Sequence, residues 1–498
     1  MKRREFIGAG LTLTAASPFQ AWPSNLKSVG VVPAKSLDGT DFQLSGADVE
    51  DFAAGLRGDL LLPDSAGYDG RRRIWNGVFD KHPALIACCT GASDVRRSVD
   101  FARAHGILTA VRSGGHSLSG KCSCDSGLVI DLQQMQGVRV DAKTQRARLE
   151  AGSLLGELDH ECTALGLVTT AGTVSDTGAA GLTLGGGFGR LGRRFGLACD
   201  NVASFDVVTA DGKLLRASED ENKDLFWGLR GGGGNFGVVT SIEYRLHPMN
   251  PVILGGYVAW PMNQARDAMR HFRDIAAIAP DVASLMFDLH WEGQEAFFGI
   301  EVCWSGDHAK GEEWLKPLRG FGKPAVNEIG PMPYVKIQSK DDALYPRGDL
   351  YYLKSGYVSR IADADIDLIL ETFRGTPPQF AMFADHAGGA YARTPLDATA
   401  FPRRDMAFVL ALVAAWKDPA ESEALLGKAR STWRIVEPMI SGFYTNYAAS
   451  DTNLAAYREN FGNHLGRLVA LKAKVDPTNL FRLNANVPPT PRSAAPGA

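Results

Sequence analysis

An α+β fold in at least two compact units is what the sequence predicts, from its length, its alternation of short strand-like runs with helical stripes, and a change of texture near Pro251. The 498 residues are roughly three times a usual ~150-residue domain, enough for more than one sizeable core. Hydrophobic residues at 45% and charged residues at 22% are ordinary for a globular chain and exclude wholesale disorder or a multi-span membrane protein. With 53 basic against 56 acidic side chains the net charge is -3, which leaves no electrostatic footprint for nucleic acid and no polybasic patch for stable membrane insertion.

The elements follow in order. Ser93 is placed to N-cap a helix in which Val95, Val99 and Ala102 recur at helical spacing; Gly106 ends it, and Ile107 to Val111 reads as a strand. That strand runs into Arg112-Ser113-Gly114-Gly115-His116-Ser117, and a second strand, Leu128 to Leu132, follows, so the glycine loop is pinned between strands. Arg146 to Ala151 reads as a strand, and Leu154, Leu158, Cys162 and Leu165 mark one helix face. Phe205 to Thr209, Asp211-Gly212, then Lys213 to Leu215 is a hairpin with its turn dipeptide. Val238 to Leu246 alternates as a strand and closes the first unit. Beyond Pro251, aromatic-rich segments such as Leu285 to Trp291 and Ala296 to Trp304 alternate with helical ones, and Tyr457, Phe461, Leu465, Leu468 and Leu471 make a single late helix stripe.

Glycine stands out. There are 55, about 11% against a typical ~7%, clustered at 114–115, 185–187, 231–234 and 388–389. Glycine permits φ > 0 and lets several backbone N–H groups converge on phosphate oxygens, so three such loops in the first unit point to a dinucleotide. Each loop taken alone fits tight packing in a turn equally well. Leu184 to Leu191 contains a Gly-x-Gly but lacks the βαβ setting and downstream acidic residue of a Rossmann fingerprint.

At the N-terminus, Arg3-Arg4 precedes an apolar stretch ending near Ala16, too short to span a bilayer. Residues 1–25 are expected to be a twin-arginine-type signal peptide, giving a periplasmic or secreted location. Pro488 onward is proline- and alanine-rich, and residues 491–498 are expected to be a disordered tail. Seven cysteines imply no full disulfide framework. Cys122-x-Cys124 is too tight for zinc, so buried thiols and no metal are expected, with one disulfide possible after export.

Together the three loops and the closing Asn484-x-Asn486 resemble the FAD-linked oxidases of the vanillyl-alcohol oxidase (PCMH-type) superfamily, specifically the berberine-bridge-enzyme-like group. The likeness spans about residues 60 to 250 and 440 to 490. It implies a PCMH-type FAD-binding domain of two subdomains over 45–250, a substrate domain with an antiparallel sheet covered by helices over 251–440, and a return to the first domain over 441–490. The resemblance implies that His116 bonds covalently to the flavin's 8α-methyl, that Arg112, Ser113, Gly114 and Gly115 cradle the pyrophosphate through backbone amides, and that Ser117 beside them also binds the cofactor. Thr177, Gly178, Gly181, Gly185, Gly186 and Gly189 would line the cofactor, Asn201 and Val238 would lie near its adenosine, and Asn484 and Asn486 would reach the ring. Many relatives add a second bond from a cysteine two residues after the glycine matching Gly172; Val174 stands there, so a single link is expected.

Tyr444-Thr445-Asn446-Tyr447 is similar to the family's Tyr-x-Asn-Tyr element, which nominates Tyr447 as catalytic base with Tyr444 and Asn446 beside it. A tyrosine of pKa ~10 needs roughly 4 kcal/mol of selective phenolate stabilisation to ionise near neutrality, hence a cationic neighbour; Lys354, Arg360 and Arg393 are nominated. Asp385, His386, His290 and Asp288 could face the flavin, with surface or satisfied core positions the plainer reading. Arg71-Arg72-Arg73 reads as a solvated face, and Trp291, Tyr345 and Tyr351 as a stacking pocket or an ordinary aromatic core. The implied activity is oxidation of an alcohol, sugar or amine-type small molecule by hydride transfer to flavin N5, with O2 reduced to H2O2. The alternatives are a dehydrogenase using another acceptor and a flavin-binding protein without turnover. Neither the substrate nor the oligomeric state is legible.

Overall fold

Short, fully apolar strands can pair in parallel only when both faces are covered, and the first subdomain is built that way. In the computed structural model, which describes residues 29–489, strands Leu85–Cys88, Leu128–Asp131 and Thr109–Arg112 pair in parallel, with Leu60–Leu61 antiparallel on the edge. The signal peptide and the tail anticipated at 1–25 and 491–498 lie outside the described residues. Helix Ala92–His105 makes the crossover and ends on Gly106 at φ 58°. Its N-cap is Gly91, not Ser93. Asp94 takes over that corner, accepting from the backbone N–H groups of Arg57, Gly58 and Thr90.

The second subdomain is a five-stranded antiparallel sheet in the order Leu214–Ser218, Val202–Val208, Val238–Arg245, Arg146–Glu150, Val138–Asp141. The hairpin falls as the Asp211-Gly212 pair predicts, with Gly212 at φ 77°. Helix Leu155–Thr163 carries Leu155, Leu158 and Cys162 inward, whereas Leu165 lies past its end and is exposed.

An antiparallel sheet of eight strands forms the other half, running through Val252–Pro261, Glu295–Trp304, Ala283–Glu292, Phe380–His386, Phe408–Trp416 and Leu350–Val358. Helices Ala265–Ala277, His308–Arg319, Asp363–Arg374 and Ser422–Val436 pack on one face through Phe272, Leu315, Ile369 and Trp433 against Phe287, Ile300, Met382 and Leu412. Side chains alternate across a strand, so Met286, Asp288, Phe383 and Asp385 project from the opposite face. That face looks toward the first half.

After residue 440 the chain packs into the first core, where Tyr457, Phe461, Leu468, Leu471 and Phe481 join Leu85, Ile130 and Phe205. The late stripe is two helices, Leu454–Phe461 and Leu465–Val475, because Gly462 at φ 49° breaks it. The arginine run is not a solvated face: Arg71 Nε lies 2.9 Å from Asp131, and Arg72 is buried with Asp69 and Asp80. All seven cysteines are free, and among the described residues no helix is long and apolar enough to cross a membrane.

Candidate active site

Two glycine loops meet where a side chain would not fit. A Cβ on Gly114 would lie 2.5 Å from the Gly178 backbone nitrogen, so the loop after strand Thr109–Arg112 and the turn into helix Ala179–Leu184 clasp backbone to backbone. Gly185 presses in the same way on the Asn446 amide, and Gly186 on the ring of Phe401. Above these contacts lies a cavity of about 860 Å³ between the two halves, within the usual ~300–1,000 Å³ of ligand sites. Ser113, Gly114, Gly115, His116, Ser117, Thr177, Gly178, Gly181 and Gly185 line one wall, with Gly233, Gly234 and Asn484 at its far end.

His116 stacks on Trp75 with ring centroids 4.2 Å apart, and Trp75 stacks in turn on Tyr351. Its Nε2 lies 3.2 Å from Asp176 without hydrogen-bond alignment, and that nitrogen is buried with no partner. Arg347 donates to the Gly114 carbonyl at 2.6 Å. The ring is thus held by stacking, with Nε2 beside the Asp176 carboxylate. Lys121 also lines the cavity, its ammonium 4.1 Å from the Tyr457 ring centroid, and burial with Lys81 nearby brings it down to about 8.

The Tyr-x-Asn-Tyr segment divides its labour. The Tyr444 oxygen accepts from Gly187 N, Phe188 N and Asn446 Nδ2, and Asn446 also donates to the Leu182 carbonyl. Tyr444 is buried, and through these bonds it and Asn446, both of which also line the cavity, hold the glycine loop. Tyr447 does face the cavity, bonded to the Thr173 hydroxyl. Burial, the Asp385 carboxylate and Tyr444 push its phenol well above the usual 10, opposed by Thr173 and Arg190. The cationic neighbourhood nominated from sequence is not there: Lys354 pairs with Glu437, Arg393 with Asp281, and Arg360 is exposed, none of them lining the cavity. The field at Tyr447 favours the neutral phenol.

Asp385 is the group poised to take a proton. It lines the cavity, its Oδ2 is buried without a partner, and burial raises it to about 7 with Glu301 adding and Arg190 opposing. Strand register places Asp385 opposite Met286 and Met286 opposite Glu301. Two residues along, Asp288 takes hydrogen bonds from Tyr257 at 2.7 Å and lies 2.6 Å from His290 Nδ1; Tyr257 reaches it across Gly299, where any Cβ would collide. Burial works against a charged His290, yet Asp288 and Glu292 outweigh it and raise its pKa. Trp291 and Tyr345 line this wall as the stacking reading requires, whereas Tyr351 sits behind Trp75; His386 points into the core against Phe408.

Several nominated residues stand behind the wall. Arg112 is fully buried with Nη2 2.9 Å from Asp131, anchoring the base of its loop. Gly186 and Gly189 pack on Phe401 and on the Gly172 backbone, and Asn201 holds its own turn through Phe195 O, Leu197 O and His247. Val238 is buried between Gly237 and Val239, which do face the cavity, because a strand alternates. Asn484 donates to Gly234 O and leaves Oδ1 unpartnered at the wall; Asn486 is not part of the wall. Sequence reasoning missed Arg190, Glu301, Gln338 and Lys340 altogether.

Comparison with known proteins bears on this geometry. The family model described as an FAD binding domain matches residues 83–218, and the one described as berberine and berberine like matches residues 443–488. The (R)-6-hydroxynicotine oxidase of Paenarthrobacter nicotinovorans is 30% identical over 461 residues, covering 87% of this chain and 97% of that protein. The chain belongs to the berberine-bridge-like family of FAD-linked oxidoreductases. A chitooligosaccharide oxidase of Gibberella zeae is 28% identical over 82% of this chain and 87% of its own. The crystal structure of 6-hydroxy-D-nicotine oxidase from Arthrobacter nicotinovorans superposes with a TM-score of 0.82 at 28% identity, covering 87% of this chain and 98% of that one.

As a berberine-bridge-like protein it is an FAD-dependent oxidoreductase, and its cavity fits that cofactor. A Cβ on Gly181 or Gly234 would meet nothing within 4 Å, so these backbones border open space a long cofactor would fill. The unpartnered Asn484 Oδ1 faces the same space as an acceptor without a donor, and His116 borders it with Nε2 beside Asp176.

Proposed function

We propose that this protein is an exported flavoprotein oxidase that holds FAD through a single covalent bond at His116 and oxidises an alcohol, sugar or amine-type small molecule. When bound, FAD supplies the hydride acceptor and passes the electrons to O2, giving hydrogen peroxide. Asp385 carries the reading: a half-buried carboxyl raised to about 7 is ionised for a large share of molecules at neutral pH and basic enough to accept a substrate hydroxyl or amine proton. Tyr447, kept neutral at the same cavity wall, would hold the substrate's hydroxyl or amine by a hydrogen bond while Asp385 takes the proton, so no phenolate is required. The single link is supported by Val174 at the cavity wall, whose isopropyl group cannot form a thioether. Arg3-Arg4 ahead of the short apolar stretch supports export.

The test is anaerobic mixing of the yellow protein with panels of sugars, alcohols and amines. Bleaching by one of them, followed by peroxide on admitting air, is expected. Bleaching without peroxide would assign a dehydrogenase, and no bleaching by any of them a binder without turnover. Acid precipitation should leave the colour in the pellet for the native protein and in the supernatant for His116→Ala.

A further inference from the structure

Arg190 leaves the glycine segment and crosses from the flavin half into the substrate half. Its side chain is 2% exposed. Nε and Nη2 grip both carboxylate oxygens of Glu301 at 2.6 and 3.0 Å, while Nη1 donates to the Thr173 carbonyl at 2.7 Å and to Gln338 Oε1 at 3.1 Å. Gln338 donates to the carbonyls of Ala171 and Gly172 and to Asp159. Three successive carbonyls, 171 to 173, are therefore held by two side chains. Gly172, Thr173 and Val174 form the cavity wall, and Thr173 carries the hydroxyl bonded to Tyr447.

We propose that Arg190 is a positioning residue for the oxidation: by holding Glu301 of the substrate sheet and the Thr173 carbonyl of the flavin wall at once, it fixes the spacing across which Tyr447 and Asp385 work. A fold needs no ion pair for this purpose, since buried pairs can often be replaced by apolar side chains without loss of stability. What an apolar pair does not reproduce is the planar fork that reaches two walls, nor the field. Burial would raise the Glu301 carboxyl, but Arg190 and Lys340 outweigh it and hold it at about 2, so the pair stays charged. The groups acting on Asp385 are Arg190, which lowers its pKa, and Glu301, which raises it; Tyr447 and Tyr391 feel its charge in return, and Lys340 and Asp341 close the far side of Glu301.

The inference rests on Asp385 being the base, and the experiment separates the two. With the substrate that bleaches the flavin, kcat and KM are measured against pH for the native holoenzyme, Asp385→Asn, Arg190→Lys, and the double variant Arg190→Met with Glu301→Met. In both Arg190 variants kcat is expected to fall roughly 10- to 100-fold with KM moving less. In the double variant the acid limb should move only slightly to higher pH, because the larger lowering influence of Arg190 on Asp385 and the smaller raising influence of Glu301 are removed together. Hydrogen exchange of the backbone amides from 171 to 177 should quicken in Arg190→Lys, a readout that remains if the double variant does not fold. Native kcat in the folded double variant, or native kcat and exchange in Arg190→Lys, overturns the proposal. An acid limb that survives in Asp385→Asn overturns instead the reading of Asp385.

Discussion

The two walls of the cavity are made of different material. The flavin-side wall is backbone: Gly114 against Gly178, Gly185 against Asn446, and open glycines at 181 and 234. His116, Lys121 and Cys122 are chargeable side chains on it. The substrate-side wall is side chains on a sheet: Asp288, His290, Glu292, Lys340, Asp341 and Asp385 among Tyr257, Trp291, Tyr345 and Phe383. A cofactor common to a family is held by a backbone shape that few residues but glycine allow, while substrate choice and proton transfer are written in replaceable side chains.

Substitutions on each wall break that contrast in opposite ways. The largest effect is expected from Asp385→Asn, with kcat at pH 8 falling by roughly 10² to 10⁴ while the flavin stays bound; steady-state peroxide assays with absorbance of the pelleted protein measure both. Gly114→Ala should do the reverse, driving a methyl into the Gly178 backbone and costing roughly 2–4 kcal/mol, seen as a lowered melting temperature and poor flavin loading.

Smaller effects sharpen the comparison. Burial raises both Asp385 and Asp159 to about 7, with Gln338 and Arg190 opposing at Asp159. Each carboxyl binds its proton more tightly folded than unfolded, so its contribution is fully present below about pH 4 and is lost as pH climbs toward 7. Asp159→Asn should therefore melt close to the native protein at pH 4 and above it at pH 8, by about 1–3 kcal/mol, in parallel denaturant titrations. The smallest change is Gly181→Ala. Inside helix Ala179–Leu184 alanine should stabilise the apoprotein by about 0.5–1 kcal/mol while its methyl enters cofactor space, so apoprotein stability rises and flavin uptake falls. Normal uptake would show that the open space at Gly181 is not used.

The glycine wall was legible in the sequence because its physical requirement restricts residue type at each position. The loops around 114, 178 and 185 border the cavity, as does His116. Details failed where a property depends on a neighbour far away in sequence: Arg71 and Arg72 look like a solvated run until Asp131 and Asp80 are folded beside them. The motif nominates Tyr447 over Tyr444, but only the fold shows that Tyr444 spends its oxygen on the 187–188 amides while both tyrosines border the cavity. Asp385 was named from sequence without a reason to prefer it over His386 beside it.

By itself the sequence determined that this chain clusters glycines on turns between strands, places His116 at the end of one, carries valine at 174, and presents an FAD-linked family's motifs in order. These are local facts, fixed by which residues tolerate a given backbone conformation. Only the tertiary structure decided that Asp385 hangs half-buried and unpartnered above the cavity, that burial together with the Asp385 charge keeps Tyr447 neutral, and that Arg190 ties one wall to the other. Such properties are sums over charges and burial from separate segments, Arg190 and Glu301 lying 111 residues apart, and no short window along the chain contains them.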